Sequence, residues 1–263
     1  MSSYRLSTER LPQTEFDIPR LASNQPISWL RRGWQDLRTA PVASVVYGLF
    51  VAAFAFLLAY LTSVANRFYL VPFLFGGFLM IAPLLSVGLM AIAKLHEEQA
   101  AHDTASVLRV LATNRPSIAI MGIFLLFAFL NWIMLSNLLF GGVFHEVLPT
   151  YEQVRPLPVM FGESLPFLAV FGGIALVLAV IMFRITALSL PMLVDRRVDP
   201  FNAAFASWRA VGENWRAMTV WAVIIAVLFG ISVLTYFAGL ILIVPWLGYA
   251  SWHAYRDTLV PQS

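Results

Sequence analysis

Five uncharged apolar stretches constrain this chain more than anything else in it: Val42–Ala65, Phe68–Ala93, Ser117–Phe144, Ser164–Phe183 and Ala217–Trp252. A helix needs about 20 apolar residues to cross the ~30 Å hydrocarbon layer of a bilayer, and each stretch reaches that length. The last runs to 36 residues (217–252), too many for one ordinary span, and Gly239 near its middle offers a turn between two short helices. The reading is an all-α polytopic membrane helix bundle of six transmembrane helices, at about 42–65, 68–93, 117–140, 165–190, 217–237 and 239–255. One tilted helix with a re-entrant piece is the competing reading of 217–255. Composition agrees with the class: 60% of residues are apolar and only 12% charged, far from the soluble range.

With no cysteine, the chain excludes disulfides, thiolate metal sites and a cysteine nucleophile. Its net charge of +3 does not point to nucleic acid, because the basic residues lie between apolar runs and form no arm or stripe. They read as topology signals. If the N-terminus is cytoplasmic, fourteen of the 17 Lys and Arg residues fall on that side, and only Arg67 and Arg155 on the other, with Arg184 left inside a span. An even number of spans returns the C-terminus to the cytoplasm. Residues 1–26 are polar, interrupted by Pro12, Pro19 and Pro26, and read as a flexible cytoplasmic tail ahead of a transmembrane domain at 27–260.

Before the first, third and fifth spans comes an amphipathic stretch. In DPFNAAFASWRAVGENWR, 199–216, Asp199 can cap a helix, Pro200 suits its first turn, and Phe201, Phe205, Trp208 and Trp215 share one face. In ISWLRRGWQDLRTAP, 27–41, Ile27, Leu30, Trp34 and Leu37 make a similar stripe, and 103–116 a weaker one through Leu108 and Leu111. Such helices belong in the membrane interface, so the chain reads as three hairpin units, each preceded by a cytoplasmic interfacial helix. Gly77, Pro83 and Lys94 have the same separations as Gly239, Pro245 and Arg256, which fits an internal repeat.

Few residues could carry chemistry. His96 and His102 in HEEQAAH are six apart, not the four that the zinc-protease helix needs, so no metal site is read there. Arg184, near the inner end of the fourth span, marks either a substrate or anion path or a side chain snorkelling to the interface. Asn131 and Asn137 in the third span suit interhelical hydrogen bonds, and with Arg184 form the candidate polar intramembrane site. The outer loop, 141–164, is proline-rich and could meet an extracytoplasmic partner or merely connect. In LIVPWLGYASWHAYRD, 242–257, Trp246, Tyr249, Trp252 and Tyr255 recur at roughly helical steps around His253, with Arg256 beyond them. They read as an interfacial aromatic belt rather than a cofactor site.

SLPMLVDRRVDPFNAAFASWRAV and, one hydrophobic hairpin later, PWLGYASWHAYRDTLV carry a resemblance as well. From about Ile27 to Val260 the chain resembles a bacterial inner-membrane family catalogued as a domain of unknown function, some of whose members are labelled putative cytochrome c oxidase subunits. That family commonly has Gly-His-Ala-Thr-Trp-His where this chain has Gly248-Tyr249-Ala250-Ser251-Trp252-His253, so one histidine is replaced by tyrosine. The resemblance implies a membrane protein and no particular activity. A haem–copper catalytic subunit needs more buried histidine ligands than this chain's four histidines supply, which leaves an accessory or assembly role.

The functional expectation is therefore a non-catalytic accessory, assembly or scaffold component. The bilayer and a membrane-complex protein are its expected partners, with no cofactor, nucleic acid or identifiable small-molecule substrate. A small transporter or channel around Arg184 and Asn131 is the alternative, and a redox-complex subunit a more distant one.

Overall fold

A computed structural model describes residues 16–65, 71–143 and 165–261. The outer loop named above, with His145, falls almost wholly outside these residues, as does most of the tail. The described chain is helical apart from one antiparallel pairing of two-residue strands, β1 (Phe16–Asp17) with β2 (Val260–Pro261).

Helix α1 (Gln25–Thr39) has proline in its first turn and stops at Ala40, where α2 (Pro41–Val64) begins. Next come α3 (Val71–Leu85) and α4 (Val87–Glu97), separated at Ser86, three residues after Pro83. A proline inside a helix lacks the N–H for its own ladder bond and crowds the preceding turn, so an interruption at this level follows from the sequence. The matching Pro245 leaves its helix unbroken, so the two halves of the suggested repeat differ in form. The short α5 (Thr104–Ala112) is capped by Asp103, whose Oδ1 accepts from Ser106 N at 3.0 Å, and leads into α6 (Arg115–Val143). The second half holds α7 (Leu165–Thr186), α8 (Ser189–Asp195), α9 (Pro200–Glu213), α10 (Trp215–Leu234) and α11 (Leu240–Thr258). Asp199 caps α9 as expected, its Oδ1 accepting from the backbone N–H groups of Phe201 and Asn202.

Among the described residues, five helical runs are long and apolar enough to cross a membrane: Pro41–Val64, Gly76–Glu97, Arg115–Gly142, Ala169–Asp195 and Trp215–Leu234. Where the sequence counts six spans, α11 is not among them, because its second half carries Tyr, Ser, Trp, His, Arg and Asp. The chain does turn near Gly239: Tyr236 and Phe237 adopt left-handed backbone at φ 49° and 68°, and Phe237 N donates to Ser232 O. This folds α11 back along α10.

α11 is also largely enclosed, with Leu240, Tyr249, Ala250, Trp252, Ala254 and Tyr255 all buried. It packs chiefly on α1 and α2, then on α4. Small residues make this approach possible. A Cβ at Gly48 would lie 2.0 Å from Ile241 O, and one at Gly33 would lie 2.7 Å from Ala250 N. The remaining surface of α2 stays apolar and exposed through Val42, Phe50, Phe56 and Leu57, as suits a helix in lipid.

α1 docks on a face one step away from the expected stripe. Pro26, Trp29, Gly33 and Leu37 are buried, Leu30 and Trp34 lie half-buried, and Ile27 is 63% exposed. Gly33 sets the docked face by admitting Ala250, so α1 packs on the bundle rather than presenting its whole apolar stripe to lipid. The tail too is held from Asp17 onward. Asn214 accepts from Leu21 N at 2.7 Å and donates to Pro19 O at 3.0 Å, satisfying backbone groups that a free tail would give to water.

Candidate functional site

The polar residues gather where α1, α4, α8 and the C-terminal half of α11 meet. Helical periodicity turns the aromatic side chains of α11 inward, and each presents its polar tip to a partner on another element. Trp246 Nε1 donates to Leu30 O at 2.7 Å, and its ring meets Trp34 edge to face. Tyr249 Oη pairs with Ser44 Oγ at 2.9 Å. Trp252 Nε1 donates to Glu97 Oε2 at 2.9 Å, and Tyr255 Oη donates to Asp195 Oδ2 at 2.8 Å. Tyr249, Trp252 and Tyr255 therefore face protein where the sequence suggested a lipid-facing belt. The reason is physical: the C-terminal half of α11 is surrounded by α1, α2, α4 and α8, and a buried indole or phenol needs a hydrogen-bond partner, which a carboxylate or the Ser44 hydroxyl supplies.

Four carboxylates organise this end. Lys94 Nζ lies 3.0 Å from Asp195 Oδ1, and Arg196 Nε donates both to Asp195 Oδ2 at 3.1 Å and to Tyr255 Oη at 2.9 Å. Glu97 takes Arg256 as well as Trp252, with Arg256 Nη2 at 2.8 Å from Oε1. Asp257 Oδ2 receives Arg32, Trp29 Nε1 at 2.9 Å and Gln25 Nε2 at 2.8 Å, tying the last helix to the first. Burial alone would raise the Asp257 carboxyl, but these three donors outweigh it and hold it below the ordinary 3.8.

Asp36 sits between two histidines. His253 Nε2 lies 2.7 Å from its Oδ2 and His96 Nδ1 lies 3.2 Å from its Oδ1. Burial pushes this carboxyl up, yet hydrogen bonds from His253 and His96 and their charge bring it below 3.8. An ionised carboxylate only accepts, so both histidines donate. His102 joins from the side, its ring 4.7 Å from that of His96. Six residues apart, the two would diverge on one helix, but α4 ends at Glu97 and Gln99 takes left-handed backbone at φ 53°, which brings them together. Among the described residues no group of three or more metal-type ligands forms.

The candidate intramembrane residues separate. Asn131 Nδ2 donates to Phe127 O and Asn137 Nδ2 to Ile133 O, both at 2.8 Å and within α6, and both side chains are exposed on the outside of the bundle. Arg184 instead lines a cavity of about 1050 Å³ bounded by α3, α7, α10 and α11, to which neither asparagine contributes. Its Nη2 donates to Trp208 O at 3.0 Å and its guanidinium stacks 3.9 Å above the Trp208 ring. Ser207 Oγ donates to Arg184 O, joining the end of α7 to α9. On α9 itself Ala203, Ser207, Ala210 and Val211 are buried, while Phe201 and Phe205 are 82% and 70% exposed, with Trp208 and Trp215 beside them.

Residues 70–195, just under half of the chain, match the family model described as "Predicted integral membrane protein (DUF2189)". The chain is an integral membrane protein. The match spans α3 to α8 and includes Arg184, Lys94 and Asp195. No curated protein and no solved structure matches the chain.

The carboxylate cluster had little signal in the sequence, since its members come from four separated segments. Gly33 and Gly48, which let those segments approach, offered the one local hint.

Proposed function

We propose that this protein is a non-catalytic accessory or assembly component of a complex in a bacterial inner membrane, with its charged end in the cytoplasm. One observation carries the reading: the chemistry-bearing side chains of that end are engaged in binding α11 to α1, α4 and α8, while the aromatic face of α9 remains open. Groups so engaged serve cohesion, and an open aromatic face next to them serves contact with lipid or another protein.

Six crossings fit this proposal. The β1–β2 pairing and the Arg32–Asp257 ion pair hold the two ends of the helical domain together, which favours an even number of crossings between them. Five apolar runs and α11 make six. The 19 residues of α11 measure roughly 28 Å, close to the hydrocarbon thickness, and neighbours shield its polar half.

Gentle purification from the native membrane, followed by crosslinking and mass spectrometry, tests the accessory role. The expected result is one respiratory or envelope complex co-eluting in fixed ratio, with F201S/F205S reducing it at unchanged stability. A protein that elutes alone from every extraction would overturn it. The cavity at Arg184 favours one second reading, a small transporter of an anionic solute, for which Arg184→Ala should abolish uptake into proteoliposomes while leaving the bundle folded. A redox subunit would show a haem absorption band in the same purified fraction.

A further inference from the structure

The cavity beside Arg184 is shaped for an amphiphile. Its inner wall includes Met90, Trp221 and Phe229, all buried, whereas Leu176, Val180 and Val223 stand at its edge and are exposed on the flank that faces lipid. It therefore opens sideways, between α7 and α10, into the hydrocarbon layer. Along α10 it extends from Trp215 to Phe229, roughly 21 Å at the helical rise, which exceeds the ~15 Å depth of one leaflet. Its volume of about 1050 Å³ stands at the top of the range for small-molecule sites.

One end of this apolar space is cationic. Arg184 has five N–H donors and, among the described residues, makes a single hydrogen bond, to Trp208 O, with its Nε buried and unpartnered there. Among the described residues no carboxylate lies within ion-pairing distance of it. An arginine held in a low-dielectric site without a counter-charge is costly, and its planar fork fits the paired oxygens of a phosphate or a carboxylate. The side chain also has packing partners beside the cavity. Trp208 stacks on it, and Gly212 leaves the space it occupies, since a Cβ there would lie 2.6 Å from Nη2. Trp208 and Trp215 beside it are residue types that favour the headgroup layer, which puts the guanidinium at phosphate depth.

We propose that this cavity binds an anionic phospholipid of the surrounding bilayer, one acyl chain lying between α7 and α10 and the phosphate held by Arg184. The assignment does not depend on the accessory role and survives whether or not a protein partner exists.

Native mass spectrometry of the delipidated protein in mild detergent tests it, with phosphatidylglycerol and phosphatidylcholine of identical chains as probes and circular dichroism to verify folding. One phosphatidylglycerol should bind at about five- to tenfold lower concentration than phosphatidylcholine, because the choline ammonium of the latter offsets the phosphate charge that Arg184 meets. Arg184→Gln should equalise the two lipids, Arg184→Lys should keep most of the preference, and Ala222→Phe, which narrows the cavity away from Arg184, should weaken both. Equal binding in the wild type overturns the proposal, as does a folded Arg184→Gln protein that retains the preference. Oleate displacing phosphatidylglycerol at equal concentration would assign the site to a free fatty acid and overturn the phospholipid. If Arg184→Gln does not fold, the wild-type preference and the Ala222→Phe variant decide between the two outcomes.

Discussion

Two glycines show how differently one methyl group acts at different contacts. At Gly48 an added Cβ meets the backbone of Ile241, which cannot move without displacing α11; at Gly212 it meets the far end of the Arg184 side chain, which can swing aside. Gly48→Ala should therefore cost on the order of 3 kcal/mol, at the upper end of overpacking, and lower the melting temperature of the purified protein. Gly212→Ala should melt near the wild-type temperature, and equal destabilisation of the two would show that the α2–α11 contact is not tight. Acid should find the carboxylates next. Asp36 and Asp257 titrate below their ordinary value in the folded protein, so the unfolded chain binds more protons in that window. Their stabilisation is complete above the usual carboxylate range and disappears as pH falls through the folded values. Melting temperature should hold steady from pH 7 to about 5 and drop below about 4, with a shallower drop in Asp36→Asn.

Elements in this fold depend on residues distant from them in sequence. α1 is amphipathic by any count, but Trp29 holds it in place: buried, edge to face with Trp221 at 5.6 Å, and hydrogen-bonded to Asp257. Trp29→Ala should cost about 3–5 kcal/mol and release α1, measured as new protease cleavage within 25–39. Unchanged cleavage would mean that Gly33 and Leu37 suffice. The apolar runs were legible because hydrophobic length is written locally, and so was the α9 cap, where Asp199 and Pro200 adjoin. The inward turn of the α11 aromatics was not legible. A run of Trp and Tyr at helical spacing looks the same whether its neighbours are lipids or four other helices, and only the long-range approach through Gly33 and Gly48 decides it. Arg184 was visible as an odd charge. Its separation from Asn131 was not, because each asparagine satisfies its own helix.

As a whole, the molecule has a charged end and an apolar body, and the absence of cysteine makes its placement measurable. Single cysteines at Ala22, Ala101 and Arg197 should react with an impermeant maleimide from one side of the membrane, and those at Tyr236 and Gly142 from the other. Labelling of Tyr236→Cys from the first side would reduce α10 and α11 to a re-entrant pair. The pairing of α1 with α11 bears on how such a protein is made. At translation rates of 5–20 residues per second, on the order of 10–40 s separate the emergence of Thr39 from that of Thr258. For that interval the α11 partners of Trp29, Arg32 and Asp36 are missing, and the groove that α11 will fill is open. The bundle cannot be completed one hairpin at a time as it leaves the ribosome. Its first helix is fastened by its last, and a chain cut short before Leu240 is an unclasped intermediate for proteases to remove, not a smaller working version of the protein.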